Sequence, residues 1–243
     1  MHSLEIYAHR GASGHALENT WDAFKLAHQL GVGIELDVQL TQDGIAVVFH
    51  DEHLKRLAGT KKMISAVPFH IIEPIAVRKR FNRYGSHSIP LASEVFEWAS
   101  ARQIPLNIEL KSSIASHPSG PEIIIHLLGG VENFHLSSFD NVLLAQIKAL
   151  RPDIQAAWIM KKAQQWNELA DKGWVDGFHF HKRFHRSKWL EPVAALNKPI
   201  RLYGITGNER MLRSLHPSVK GLITDYPVRL IEAVPTNKKT AQE

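Results

Sequence analysis

Short segments in which apolar and polar residues alternate are separated along the chain by longer segments with apolar residues every three or four positions. The first pattern is typical of β-strands and the second of amphipathic helices. We predict strands at residues 4–8, 33–39, 46–49, 104–110, 133–137, 154–158, 175–180, 201–204 and 221–224. We predict helices at residues 20–30, 92–102, 121–128, 141–150, 163–172, 188–196, 209–215 and 227–233.

The alternation of predicted strands and helices indicates the fold class. Parallel strands need crossover connections, which are usually helices. We therefore expect an α/β protein, a (β/α)8 TIM-type barrel formed as a single domain by residues 1–243, and such barrels have about this length. The prediction contains one strand more than the barrel requires. Asn19 or Thr20 is expected to cap the first helix, and Gly31 to end it.

Residues 51–88 follow neither pattern and form a segment too long for an ordinary connection. Many of them are basic, including Lys55, Arg56 and Arg78. We interpret this segment as a small insertion after the third strand, lying over the mouth of the barrel. The polar residues 235–243 are predicted to form a loose C-terminal tail.

Composition limits the classes of protein. The absence of cysteine excludes disulfides, thiolate zinc sites and a cysteine nucleophile. The chain has neither a secretory-signal pattern near its start nor an apolar run of the roughly 20 residues that span a bilayer. We expect a soluble, cytoplasmic protein without stable membrane insertion. The net charge of +5 leaves open a module that binds anions or nucleic acid through the basic segment, although we expect no nucleic-acid partner.

Chemically useful side chains gather where the predicted strands end. They are His9 and Arg10 after the first strand, Glu35 and Asp37 on the second, His50 after the third, and Glu109 and Lys111 at the end of the fourth. In a parallel barrel the catalytic groups come from the carboxyl ends of the strands and the loops that follow. We therefore expect these side chains to meet at the barrel mouth.

Three of these residues indicate a metal site. Glu35, Asp37 and Glu109 alternate with apolar residues, so they should face the barrel interior. Burying unpaired carboxylates costs on the order of several kcal/mol, and a divalent cation would offset that cost. Oxygen ligands favour Mg²⁺ or Ca²⁺. The alternative is a solvated strand face, or salt bridges to Arg10 and Lys111, which can also bind phosphate oxygens.

Five motifs occur in a characteristic order: AHRGASGHALENTWDAF from residue 8, IELDVQLTQDGIAVVFHD from 34, NIELK from 107, SSFD from 137 and LITDYP from 222. This ordered set resembles the glycerophosphodiester phosphodiesterase family. The resemblance implies a barrel that uses a divalent metal ion to hydrolyse glycerophosphodiesters, such as glycerophosphocholine or glycerophosphoethanolamine. The products would be glycerol 3-phosphate and an alcohol.

The resemblance also implies roles for individual residues. Glu35, Asp37 and Glu109 would be the metal ligands, His9 and His50 the general acid/base pair, Arg10 and Lys111 the phosphate-binding residues, and Glu18 a supporting residue. Which histidine is the base and which the acid stays open, as do the choice of metal and the oligomeric state.

The chain departs from the family pattern in the late strands. Tyr203 to Asn208 replace a segment that is usually Trp-Thr-Val-Asn-like, and Phe178 to His181 stand where a His-Pro is common. We predict Phe139 and Tyr203 as apolar walls of the substrate pocket. An alternative function on the same barrel is phospholipase D-like hydrolysis of lysophospholipids, which the lack of cysteine and the basic segment disfavour.

Overall fold

A computed structural model describes residues 4–78 and 84–234 of the chain. The predicted tail at 235–243 and part of the insertion lie outside the described residues. The described strands are β1 Glu5–His9, β2 Gly33–Leu40, β3 Ala46–Val48, β4 Leu106–Leu110, β5 Phe134–Ser138, β6 Ala156–Met160, β7 Gly177–His181, β8 Ile200–Ile205 and β9 Val219–Thr224.

Eight of these strands form a closed parallel barrel. Around the ring the order is β1, β2, β4, β5, β6, β7, β8, β9 and back to β1. Helical segments connect the successive strands and cover the outside. The predicted (β/α)8 barrel is confirmed.

The additional predicted strand is β3, which lies outside the ring. It runs antiparallel to the end of β2, with Val48 opposite Val38 and Ala46 opposite Leu40. This end of β2 is available because β1 pairs only with its first residues, Gly33 to Glu35. The chain after β3 consequently returns across the barrel mouth.

The described helices are α1 Trp21–Gln29, α2 Lys55–Ala58, α3 Phe69–Ile72, α4 Ala92–Ser100, α5 Ser112–Ser116, α6 Gly120–Leu127, α7 Asn141–Leu150, α8 Ser187–Ala194 and α9 Pro227–Ala233. Two predicted helices are 3-10 segments instead, at Ala163–Lys172 and Arg210–Arg213. The sequence did not predict α2, α3 and α5. Each has only four or five residues, too few for an apolar period to be recognised.

The predicted cap of α1 is confirmed in position, at Thr20, but the side-chain capping bond is absent. Thr20 occupies the N-cap position, but its hydroxyl donates to the carbonyl of Leu17 at 2.7 Å. The side-chain amide of Asn19 donates instead to Oδ2 of Asp37 at 2.8 Å. Both polar side chains therefore stabilise the loop and the site rather than the helix terminus.

Large and small side chains share the barrel interior. Tyr7 and Arg201 occupy space beside glycines on neighbouring strands. A Cβ on Gly33 would lie 2.7 Å from the Tyr7 ring, and one on Gly221 would lie 3.1 Å from Cγ of Arg201. The interior is thus filled by polar and aromatic groups, whereas the apolar strand faces pack outward against the helices.

The insertion has a small apolar cluster of its own. Leu54, Leu57, Ile64 and Ile72 are buried together. They pack with residues that precede the insertion, among them Phe49. This packing places the basic side chains of α2 beside the barrel mouth. Over residues 4–78 and 84–234, no helix combines the length and apolar character needed to cross a membrane.

Candidate active site

The loop after β1 begins with two residues in the left-handed region of backbone space. Arg10 has φ 55° and Gly11 has φ 74°. At Gly11 a side chain would also collide with Ala23, because a Cβ would lie 2.7 Å from it. This turn directs the backbone N–H of Arg10 to Oε2 of Glu35 at 2.8 Å. Backbone strain of this kind is commonly held at functional sites.

The three predicted metal ligands lie together. Glu35 and Asp37 are on β2, and Glu109 is opposite Asp37 on β4. Their side chains project from the polar faces of these strands into the barrel. One carboxylate oxygen from each residue lies within 4.8 Å of the others. All three residues are buried, and Asp37 is completely so.

The carboxylates differ in electrostatic environment. Burial, together with the nearby Asp37 and Glu109, raises the pKa of Glu35 to about 7, against the opposing effects of His9 and Arg10. Burial also raises the pKa of Asp37, but Lys111 and Arg10 outweigh it and hold that pKa below its ordinary value. The protein therefore neutralises the negative charge of Glu35 less than that of Asp37.

The predicted phosphate-binding residues are paired with these acids. Lys111 Nζ lies 2.7 Å from Oδ1 of Asp37 and also contacts Glu109. Arg10 Nε lies 3.3 Å from Oδ2 of Asp37, and its Nη1 donates to Glu18 at 2.8 Å. The salt bridges that were the alternative to a metal site are thus present, in the same cluster as the acidic triad.

The triad fits a hard divalent cation. Its donors are carboxylate oxygens alone, which Mg²⁺ and Ca²⁺ prefer. Glu35 is buried with its charge only partly neutralised, and a cation held by Glu35, Asp37 and Glu109 would stabilise the ionised form.

Each predicted catalytic histidine has a carboxylate partner on Nδ1. His9 Nδ1 lies 2.6 Å from Oδ1 of Asp225, and His50 Nδ1 lies 2.6 Å from Oδ1 of Asp51. Each carboxylate accepts a hydrogen bond from Nδ1–H, so Nε2 of each ring is left for other partners. His9 Nε2 lies 3.9 Å from Oε2 of Glu35.

The two histidines have pKa values shifted in opposite directions. Burial lowers the pKa of His9, but Glu35 and Asp225 overcome this effect and raise it. Burial lowers the pKa of His50, and nearby Lys111 adds to this effect. Two imidazoles close to one another therefore differ in their tendency to carry a proton, which is useful for general acid–base chemistry.

Arg56, from the insertion, connects the two sides of the site. Its guanidinium donates to both carboxylate oxygens of Glu18 at 2.6 and 2.7 Å. It also donates to Asp51 at 2.6 Å through Nε. Because Glu18 holds Arg10 and Asp51 holds His50, one side chain of α2 supports both groups.

The side chain of Gln39 fixes the loop that carries His50. Its amide nitrogen donates to the carbonyls of Phe49 and Asp51 at 2.8 and 2.7 Å. His50 therefore reaches the site from a loop after an antiparallel strand, and not from the end of a barrel strand.

Two cavities meet at the site. The inner cavity, of about 230 Å³, is lined by His9, Arg10, Glu35, His50, Asn107, Glu109, Phe139, Ile159, Lys161, His179, Tyr203 and Ile223. The outer groove, of about 880 Å³, extends under the insertion and includes Lys111 in its lining. Asp37 and Glu18 line neither cavity, but Asp37 contacts Lys111 and Arg10, and Glu18 contacts Arg10. The structure thus brings every predicted site residue to the barrel mouth.

The sequence analysis missed several residues of this site. Asp225 and Asp51 each lie in one of the quoted motifs, but without an assigned role. Lys161 follows β6 directly, as Asp225 follows β9. The rule that barrel sites use strand ends could have drawn attention to Lys161 and Asp225. The link from Arg56 to Glu18, 38 residues away, had no local signal.

A closed parallel barrel with acids, basic groups and paired histidines at the carboxyl ends of its strands defines an enzyme with a site suited to a phosphate-containing substrate. Residues 9–229 match the model of the Glycerophosphoryl diester phosphodiesterase family. The chain belongs to this family of hydrolases.

Individual relatives agree with this assignment. The chain is 31% identical over 239 residues to a glycerophosphodiester phosphodiesterase of Caldanaerobacter subterraneus, a match covering 94% of this chain and 97% of the relative. An Oleispira antarctica phosphodiesterase, solved in complex with the product sn-glycerol-3-phosphate, has a similar structure. The two structures superpose with a TM-score of 0.81 and a sequence identity of 26%. The match covers 94% of this chain and 96% of the Oleispira antarctica protein.

A human lysophospholipase D is similar to part of the chain. The two are 37% identical over 112 residues, which is 43% of this chain and 35% of the human protein.

Proposed function

We propose that this protein hydrolyses glycerophosphodiesters, such as glycerophosphocholine or glycerophosphoethanolamine, to glycerol 3-phosphate and an alcohol. The observation that carries the proposal is the buried acidic triad beside His9 and His50, each anchored by a carboxylate. The product bound to the Oleispira antarctica relative supports the same reaction.

Glu35, Asp37 and Glu109 would hold a divalent cation, Mg²⁺ or Ca²⁺. When bound, such an ion would polarise the phosphoryl group and help to neutralise its charge. The protein's own contribution is to bury the three carboxylates and to fix Glu35 through the backbone N–H of Arg10.

Arg10 and Lys111 would bind the phosphate oxygens. Both carry positive charge into a buried acidic site, and burial strengthens their attraction to the charge that develops on phosphorus oxygens. Lys111 contacts two of the acids, so it can turn towards a phosphate once those acids have another cationic partner.

His9 and His50 would exchange protons with the reacting oxygens. Asp225 and Asp51 hold the two rings so that Nε2, and not Nδ1, is directed away from the carboxylate. One Nε2 would remove a proton from the glycerol hydroxyl that attacks phosphorus, and the other would donate a proton to the alcohol oxygen as its bond to phosphorus breaks. Water would then open the resulting cyclic phosphate to give glycerol 3-phosphate.

Hydrolysis of lysophospholipids is a second candidate, because the human lysophospholipase D is similar over part of the chain. An acyl chain in the outer groove would lie beside charged side chains. The lining of this groove includes the charged residues Glu52, Lys55, Asp140 and Lys161. We therefore favour diesters whose alcohol is small and polar.

The experiment is to measure glycerol 3-phosphate release by the protein supplied with Mg²⁺ or Ca²⁺, using glycerophosphoethanolamine and a lysophospholipid as parallel substrates. We expect turnover of the deacylated diester, and a loss of about a hundredfold or more in His9→Ala and in His50→Ala. Preferred turnover of the lysophospholipid would favour the second candidate. Near wild-type rates in either folded histidine variant would contradict the acid–base roles.

A further inference from the structure

The inner cavity and the outer groove share a border. The residues that line both are His50, Glu109, Phe139 and Lys161. A diester bound beside Glu109 and His50 would therefore lie at this border. One half of the diester would extend into the inner cavity and the other half into the outer groove. The inner cavity, of about 230 Å³, suits a small group of constant size such as the glycerol half, whereas the groove of about 880 Å³ suits the half that differs between substrates.

The charges of the outer groove are mostly neutralised within the protein. Arg56 is paired with Glu18 and Asp51, and Lys111 with Asp37 and Glu109. These groups hold one another in place. They leave little net charge to select a substrate.

Among the described residues, two further carboxylates of the groove accept hydrogen bonds from neutral groups and not from cations. Asp140 accepts hydrogen bonds from the backbone N–H groups of Val142 and Leu143 and so caps α7. Glu52 accepts a hydrogen bond from the hydroxyl of Ser112 at 3.1 Å.

Lys161 is different. Within the described part of the chain it makes no side-chain ion pair, and its ammonium nitrogen lies 3.6 Å from the centre of the Phe139 ring. The ammonium thus occupies an aromatic face at the border of the two cavities. Lys55 adds a second exposed ammonium farther along the groove.

This arrangement bears on which alcohol the groove accepts. A quaternary or primary ammonium group is recognised in proteins by open aromatic faces. In the described lining of the outer groove, Phe139 is the one phenyl, phenol or indole ring, and Lys161 covers it. A cationic headgroup would have to displace a like charge, whereas an anionic group would meet an ammonium already in position.

We propose that the outer groove receives the alcohol half of the diester, and that Lys161 favours alcohols bearing an anionic group, such as a carboxylate, over purely cationic ones. The inference rests on the proposed diesterase function and names the class of alcohol that the site prefers.

Glycerophosphoserine and glycerophosphoethanolamine form a matched pair of substrates, because they differ by one carboxylate. The measurement is the ratio of their kcat/KM values at low and at high salt. We expect the wild type to prefer the serine diester, and Lys161→Met to lower that ratio by about fivefold, the effect of one partly solvated charge pair. Lys161→Arg should retain the preference.

Salt should reduce the ratio in the wild type, because an exposed charge is screened. Lys162→Met is the control, since Lys162 is the next residue and lines neither cavity. It should leave the ratio unchanged.

A wild-type ratio near one, or a ratio that Lys161→Met does not alter, would overturn the inference while the diesterase function stood. Turnover of neither diester with any metal would overturn the proposed function, and the inference with it.

Discussion

At the scale of single residues, the site depends on side chains that position other side chains. Asp225 and Asp51 each hold a histidine, Asn19 holds Asp37, and Gln39 holds the loop of His50. Such supporting partners fix the tautomer and orientation of the groups they contact.

Asp225→Asn tests this support. The amide removes the carboxylate that fixes the proton on His9 Nδ1, so we expect kcat to fall about tenfold to a hundredfold with little change in stability. Steady-state kinetics and a thermal melt would measure both quantities. Asp171→Asn, an exposed change outside the two cavities, should behave as the wild type. Unchanged kcat in Asp225→Asn would show that His9 needs no such partner.

The alternation of apolar and polar residues in the sequence was sufficient to predict that the three acids face the barrel interior. Glu35, Asp37 and Glu109 could be predicted because strand alternation fixes the face on which a side chain lies. The partners of the histidines could not be assigned in the same way. Asp225 and His9 are 216 positions apart, and only closure of the ring between β9 and β1 brings them together.

At the scale of elements, α2 and the loop after β8 act as supports for the barrel mouth. Arg56 of α2 binds two carboxylates whose own partners are Arg10 and His50. In the loop after β8, Glu209 accepts hydrogen bonds from the backbone N–H groups of Thr206 and Gly207.

Arg56→Lys tests the role of α2. Lysine keeps the charge but lacks the planar fork that binds two carboxylates together. We expect kcat to fall by about tenfold, with a smaller change in KM, because the support of His50 and Arg10 loosens while the binding groups remain. The control is Lys61→Gln, an exposed change in the same lobe. A wild-type kcat in Arg56→Lys, or an equal loss in Lys61→Gln, would show that the paired hydrogen bonds of Arg56 are not what supports the site.

Glu209→Gln tests the loop after β8 through pH. Burial raises the pKa of Glu209, but Lys182 and Thr206 outweigh this and lower it to about 2. Because the folded pKa lies below the unfolded one, the ionised form stabilises the fold above about pH 4.5, and this contribution is lost as the pH falls towards about 2.

We therefore expect Glu209→Gln to lower the free energy of unfolding by about 1 kcal/mol near pH 6. The difference from the wild type should vanish near pH 2. Melting temperatures of both proteins across this pH range would measure it. A difference that does not depend on pH would mean that the charge of Glu209 is not what matters.

The alternation of apolar and polar residues predicted where the strands lie, but not which strands pair. Residues 46–49 have the composition of a strand whether it lies in the ring or beside it, and pairing with β2 decides between the two. The two 3-10 segments have the apolar spacing of helices. In these two segments packing, and not periodicity, selects the final geometry.

At the scale of the whole molecule, the barrel interior combines large polar groups with glycines. Gly33→Ala would place a methyl group against Tyr7 at 2.7 Å. We expect a loss of about 1–3 kcal/mol in the free energy of unfolding, as for other overpacked cores, measured by urea denaturation. Gly173→Ala is the matched control, because its Cβ would meet nothing within 4 Å and its φ is −59°. Equal stability of the two variants would show that the interior relaxes freely around Tyr7.

The overall architecture was the most predictable level, because alternating strands and helices of this length have few other solutions. The two cavities were not predictable. They depend on where the insertion packs, and its cluster joins Leu54 and Leu57 to Leu17 and Phe49.

The central claim is that the acidic triad binds a divalent cation that the hydrolysis requires. The most direct test is to strip the protein of metal and to measure both Mg²⁺ or Ca²⁺ binding by calorimetry and glycerol 3-phosphate release from glycerophosphoethanolamine. The account predicts no release until the cation is restored, and binding at least about tenfold weaker in Glu35→Gln. Full turnover in the presence of a chelator, or an unchanged binding curve in Glu35→Gln, would contradict it.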